Sequence, residues 1–381
     1  MGIRRFTAPD FEHGESPAVG VLLANIGTPQ APTAKALRPY LRQFLSDPRV
    51  IELPRWQWLP ILYLLVLTFR PRRSAKLYAK IWTAEGSPLL VIARRQAAAV
   101  EKLLNAEVGS PLHVTLGMGY GKPSMAEALG RLRRGGCRKI LVLPLFPQYS
   151  GTSSAAIFDA LFAELATWRW IPELRTIQAY HDDRGYIRAL ASSIREVWTP
   201  AGGQPDQLLF SFHGVPLRYI QNGDPYHCQC HKTGRLVAEE LELDEGRYAV
   251  TFQSHFGSEE WIKPATDVTV RAMARSGVRS LDVVCPGFSA DCLETLEEIA
   301  IQNREFFEQN GGEQFRFIPC LNDRPDHVRA LADLILRHLQ GWIEPRQAWD
   351  GTKAADAAAA SRERAENLGA RGARADAGFS S

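Results

Sequence analysis

Short apolar runs rich in Val, Ile and Leu alternate along this chain with longer amphipathic stretches, and that rhythm leaves few folds open. Parallel strands need a crossover of a dozen or more residues, which helices supply, and helices on both faces make each strand a nearly continuous apolar run. Eight runs fit: Val19–Ala24, Val114–Met118, Ile140–Leu145, Thr176–Tyr180, Leu208–Phe212, Tyr248–Phe252, Leu281–Cys285 and Phe315–Ile318. Helical patterns cover Thr33–Leu45, Ser87–Leu104, Ser124–Arg134, Ser153–Thr167, Gly185–Val197, Lys232–Leu243, Asp291–Gln309 and Pro325–Leu339. The expected fold is α/β: two similar doubly wound, Rossmann-like domains whose parallel sheets face a central cleft. At 381 residues the chain suits two cores. The expected division is a flexible N-terminus over 1–17, a first domain over 18–172, a second over 173–342 and a disordered tail over 343–381. Ligands in such sheets sit beyond the carboxyl ends of the strands.

Composition removes several function classes. A net charge of +3, with no basic stripe interleaved with aromatics, gives no sign of nucleic-acid binding. Six Cys are too sparse for a disulfide framework and suit a reducing cytosol. The N-terminus lacks the apolar core of a secretory signal. Trp58–Phe69 is nearly all apolar, but a dozen residues fall short of the roughly 18–20 that cross a bilayer, and Pro60 is expected to interrupt it. Beyond Trp342 an Ala-, Gly-, Arg- and Asp-rich segment cannot bury enough surface to hold itself, although its Ala-rich part favours transient helix.

The strand ends carry the candidate chemistry. No GxGxxG follows the first strand, and neither GxxxxGK[ST] nor GxSxG occurs, so neither nucleotide binding nor a serine nucleophile elbow is indicated. Leu208–Phe212 runs straight into His213-Gly214-Val215-Pro216, which aims an imidazole at the cleft. Imidazole is the commonest biological proton carrier, although a strand-end His can equally serve only to hydrogen-bond a loop. Asp291 and Glu294 stand at capping-box spacing at the head of a helix, and Glu294 and Glu298 share one face of it. Local sequence leaves two accounts of Glu294 open, helix cap or cleft carboxylate. Cys228-Gln229-Cys230-His231 gathers soft ligands, but Cys-x-Cys is not the usual zinc spacing. Cys137, Cys285 and Cys320 read as small buried hydrophobes.

Taken together, NIGTP, SDPRVIELP, LPLFPQYSGTSS, LFSFHGVP, GDPYHCQC, TFQSHFGSEEWIKP and CPGFSADCLETLEEI occur in an order that resembles the ferrochelatases, nearest to the proteobacterial type. The likeness runs from about Val19 to Leu339, and SFHG with DCLETLEEI is its most specific part. It implies the two-domain class II chelatase fold and insertion of Fe²⁺ into protoporphyrin IX to give protohaem and two protons, the terminal step of haem biosynthesis. Ferrous iron and protoporphyrin IX are then the substrates. His213 is similar to the family's cleft histidine and Glu294 to its facing glutamate. Glu298 continues the carboxylate line, and all three are implied as iron-approaching groups.

The resemblance also implies substrate-facing positions at Ile26, Tyr120, Phe146, Trp261 and Phe288, for each of which ordinary core packing is the plain alternative. The apolar segment over 56–73 corresponds to a lip over the pocket mouth. With Arg70, Arg72 and Arg73 it suits peripheral contact with the cytoplasmic face of the inner membrane, the plain alternative being a core-packed helix. Leu62→Asp with Leu65→Asp is expected to abolish liposome association. The cluster-binding branch of the family carries its first cluster cysteine where this chain has Gly151, and no Cys follows Cys320, so no [2Fe–2S] cluster is expected. Two alternatives are a chelatase for coproporphyrin or sirohydrochlorin, and a non-catalytic haem or porphyrin carrier.

Overall fold

The computed structural model describes residues 6, 13–15, 17–199, 203–257 and 259–369. Most of the N-terminal lead-in, and the tail from 370 on, lie outside the described residues. Eight strands form, all but the fourth where the apolar runs predict them: β1 Ala18–Thr28, β2 Leu112–Gly121, β3 Cys137–Pro144, β4 Glu173–Thr176, β5 Gln207–His213, β6 Tyr248–Gln253, β7 Ser280–Val284 and β8 Gln314–Ile318. They make two parallel sheets of the same order, β2-β1-β3-β4 and β6-β5-β7-β8. In each sheet the chain leaves its first strand to one side and then crosses to the other. The switch points, where such folds bind ligands, therefore lie beside β1 and β5.

The fourth strand sits earlier than expected. Glu173–Thr176 pairs with β3, from Lys139↔Glu173 to Val142↔Thr176, while Ile177 and Tyr180 point into the core as irregular chain. A boundary at 172 would therefore cut through the first sheet. The helix Thr266–Arg275 is not among the expected elements. Its β-branched residues obscure the spacing by which Thr266, Val270 and Ala274 are buried.

One core cluster joins the two halves, running from Val21 and Leu23 under the first sheet to Leu208 and Phe210 under the second. The helices Pro88–Glu107, Arg184–Trp198 and Pro325–His338 carry it across. Phe210, Phe212 and Phe252 are all but fully buried, and each contributes about 1.5–3 kcal/mol of burial free energy. This shared wall fixes how the two strand ends face each other.

The lip is helical throughout: Arg55–Ile61, a π-helical turn Leu62–Val66, then Leu67–Ile81. Pro60 does not end the helix, because near its start the proline forfeits only one backbone bond. Pro71 frees the Leu67 carbonyl, which accepts a hydrogen bond from Arg38 Nη1 at 3.3 Å. Trp56, Leu64, Leu65 and Phe69 are 76, 71, 56 and 70% exposed, whereas Leu62 is fully buried. Leu62→Asp therefore tests folding, not the surface, because one face of an all-apolar helix must still pack inward. Among the described residues no helix is long and apolar enough to cross a membrane.

The expected disorder after 342 is corrected over its first part. Gly351–Asn367 is a helix capped by Asp350, whose carboxylate accepts from Lys353 N at 3.0 Å. Alanine has the highest helix propensity, and Ala365 is buried. The preceding chain is pinned to the first domain by Gly109 N to Glu344 O and by Arg346 N to Glu107 O.

Candidate active site

β5 ends at His213, paired with Gln253 at the end of β6. Gly214 follows because nothing larger fits: a Cβ there would lie 2.9 Å from the Gln253 carbonyl oxygen and 3.1 Å from the Trp261 ring. Gly214 N–H donates to that same carbonyl at 2.7 Å, which turns the chain at the imidazole. His213 Nδ1 lies 2.6 Å from the Gly214 carbonyl oxygen. A carbonyl only accepts, so Nδ1 is the donor of this bond and Nε2 is the nitrogen left free of it. The ring of the strand-end His is thus oriented by one nitrogen, with the other unengaged. The loop-bonding account of His213 describes Nδ1, and that bond leaves Nε2 unengaged.

The helix opposite excludes one of the two accounts of Glu294, the capping box. Asp291 is buried and engaged inward, accepting from Thr295 Oγ1 at 2.9 Å and Asn322 Nδ2 at 2.7 Å. No capping box forms. Glu294 instead opens a π-helix, Glu294–Asn303, whose i→i+5 bonding keeps Glu294 and Glu298 close to one line. Glu298 accepts from Ser254 N at 2.7 Å and from the Ser254 hydroxyl. Ser254 holds a left-handed backbone at φ +65°, a conformation that a serine adopts only under constraint. Burial pushes the Glu298 carboxyl above its usual range; the Ser254 hydrogen bonds and His213 pull it back, and Glu294 pushes it further up.

Two residues that sequence reasoning missed join these halves. Gln253 is buried, donates from Nε2 to the Glu294 carbonyl at 2.8 Å and accepts from Ser211 Oγ at 2.7 Å. Ser211, Thr266 and Thr251 continue this buried hydroxyl chain. Gln253 and Ser254 stand within TFQSHFG, directly after an apolar run, and that position is the only signal the sequence offers. Gln253→Leu strands a buried hydroxyl and a carbonyl, so thermal unfolding should show a loss of about 1–3 kcal/mol together with lower kcat. Unchanged kcat would separate Gln253 from the site.

Across the cleft, Glu294 faces Tyr40, Tyr78 and Arg70. Burial first, and Glu294 second, push the Tyr40 phenol above its usual range. Burial lowers Arg70, while Tyr40 and Glu294 oppose the shift. The Arg70 guanidinium lies 5.6 Å over the Phe256 ring, so the lip helix reaches the second domain. Lys80 adds a 2.8 Å ion pair to the buried Glu297 on the π-helix.

The expected pocket residues divide into two groups. Phe288 stands 6.5 Å from the His213 ring and shares a small apolar cluster with Ile26. Trp261 lies against Gly214 and donates to the Phe256 carbonyl at 3.0 Å. Tyr120 is buried, with its hydroxyl 2.8 Å from Asp47 and its ring edge-on to Phe44, and Phe146 packs on the first domain's inner core. These two have structural work away from His213. Among the described residues no three His, Cys, Asp or Glu side chains are arranged to hold an ion, so His213, Glu294 and Glu298 do not form a closed cage.

The remaining motifs are joints between domains. Asp224 of GDPY accepts from Ser150 Oγ at 2.8 Å and Gly151 N at 2.7 Å, and Gln229 accepts from Tyr149 N at 2.7 Å. The PQYSG loop of the first domain is therefore held by the second.

The ferrochelatase family pattern matches residues 18–339. A protein named ferrochelatase from Thioalkalivibrio sulfidiphilus is 56% identical over 362 residues, 95% of this chain and 98% of its own. Another of that name from Hydrogenovibrio crunogenus is 53% identical over 90% of this chain and 91% of its own. Among solved structures, SirB from Bacillus subtilis with Fe³⁺ aligns over 86% of this chain and 97% of its own with a TM-score of 0.52. At 9% identity that likeness speaks for the shared two-sheet fold alone. With the family pattern spanning both sheets and the cleft between them, the chain belongs to the ferrochelatase family, whose members insert iron into porphyrin.

Proposed function

We propose that the chain inserts Fe²⁺ into protoporphyrin IX, with His213 Nε2 as the acceptor of the pyrrole N–H protons. The observation that supports this most is the 2.6 Å contact of Nδ1 with the Gly214 carbonyl, which leaves Nε2 as the one free base on the ring. Metalation releases two protons from the macrocycle. Each must leave as iron takes the nitrogen lone pairs, and a positioned base lowers that barrier. Glu294 and Glu298 line the opposite side with carboxylate oxygen. Oxygen and imidazole hold ferrous iron without trapping it as thiolates would, which suits an ion in transit. Ile26, Phe288 and Trp261 offer apolar and aromatic surface to a flat macrocycle. The substrate is iron itself, and the reading assigns no resident cluster: the Gly151 N–H at the family's first cluster position serves Asp224.

The test is anaerobic incubation with Fe²⁺ and protoporphyrin IX, read by the protohaem spectrum. Binding without metalation would make the protein a carrier. A higher kcat/KM on coproporphyrin than on protoporphyrin would move the substrate to the more polar macrocycle.

The lip supports peripheral membrane contact. Trp56, Leu64, Leu65 and Phe69 present exposed apolar surface beside Arg72 and Arg73, the composition of a helix that settles at a lipid interface. Leu64→Asp with Leu65→Asp should abolish co-sedimentation with anionic liposomes while leaving metalation of detergent-solubilised porphyrin intact. Undiminished co-sedimentation would remove the lip from membrane binding.

A further inference from the structure

The HCQC segment is not absorbed by the cleft chemistry, and the structure rearranges its ligands. It lies on the helix Tyr226–Glu240, where Cys230 is buried and Cys228 exposed, so the two thiols face different ways. What the helix does bring together is His227 and His231. They are one turn apart with ring centres 4.5 Å from each other, the first half-buried and the second exposed. An imidazole nitrogen binds Zn²⁺ at about 2.0–2.1 Å with the ring centre about 1.1 Å behind it, so two rings on one ion have centres about 4.5–5 Å apart.

Their surroundings favour the ligand form. Both rings rest on Phe252, with centres 5.3 and 5.9 Å away, which restricts their motion. No hydrogen bond from any described residue reaches their ring nitrogens. No third His, Cys, Asp or Glu joins them as a ligand group among the described residues, so the pair is a two-ligand platform. A helical His pair four apart is a recurrent two-ligand platform for late first-row divalent ions.

From this geometry we infer that His227 and His231 form a second divalent-metal site, for a borderline-soft ion such as Zn²⁺, on the helix Tyr226–Glu240 of the second domain. Its position gives it a consequence. The turn that carries His227 is flanked by Asp224 and Gln229, which hold Ser150, Gly151 and Tyr149 of the first domain. An ion bridging residues 227 and 231 clamps that turn, and so steadies the joint between the domains. Binding to the folded chain alone raises its stability by mass action.

The test is calorimetric titration of Zn²⁺ into the full chain carrying His213→Ala, which removes the cleft imidazole, without porphyrin. One Zn²⁺ should bind and raise Tm. His231→Ala, at an exposed position that does not endanger folding, should weaken binding at least tenfold, since losing even an outer-shell partner costs about 10–100-fold. His227→Ala should do the same, and Cys228→Ser should retain binding. The inference is overturned if the parent takes up no Zn²⁺, if the double His variant binds as the parent does, or if Cys228→Ser alone abolishes binding.

Discussion

His213→Ala should lower kcat for iron insertion by about 10²–10⁴-fold, the usual contribution of a positioned proton carrier, while porphyrin binding persists. Binding should survive because the apolar surface proposed for the macrocycle, Phe288, Ile26 and Trp261, is held by contacts other than the imidazole. The half-buried ring supports no strand hydrogen bond of its own beyond Nδ1 to Gly214. Its removal therefore leaves β5 paired to β6 and β7. Added imidazole should restore part of the activity, entering the space the side chain vacates. A merely structural histidine would show neither the selective loss of kcat nor the rescue. Retention of kcat within tenfold of wild type would reassign proton removal to another group.

The fold was legible because burial on both sheet faces writes each strand as an apolar run, and a helix must follow before the next parallel strand. The same logic blurred β4, an edge strand whose residues are mixed, and pulled the expectation toward the more apolar Ile177–Tyr180. It also failed within the lip. When nearly every residue is apolar, sequence cannot say that Leu62 packs inward and Leu64 and Leu65 face out.

Of the site, His213 was legible from a sharp stop after a strand, and Glu294 only through the ordered motifs. Its capping-box spacing pointed elsewhere, and only the inward engagement of Asp291 frees it. Gln253 and Ser254 had no pattern to betray them. Their roles rest on contacts between elements far apart in the chain, Gln253 with Glu294 and Ser254 with Glu298, and such contacts exist only after folding.

Glu298→Gln should slow catalysis by about 10²-fold and yet raise Tm above pH 7. The glutamine can keep both bonds to Ser254, accepting the N–H at Oε1 and donating from Nε2 to the hydroxyl. What it removes is a carboxylate that the fold holds in a dry place. Burial raises the folded carboxyl above its ordinary value of 4.5. Between that value and the raised one, the folded chain keeps a proton that the unfolded chain has released. Native protein then binds more protons than unfolded, so stability falls as pH rises through this window. The variant has no such loss. Its Tm advantage should grow as pH rises above the ordinary carboxyl value, shrink on acidification and vanish below about pH 4, where wild-type Glu298 is protonated in both states. The left-handed Ser254 belongs to the same arrangement, since its N–H and hydroxyl are the donors that hold this desolvated carboxylate. A variant no more stable than wild type at pH 8 would mean that the Ser254 bonds already offset the burial. A variant with full kcat would leave the proton path to His213 and Glu294 alone.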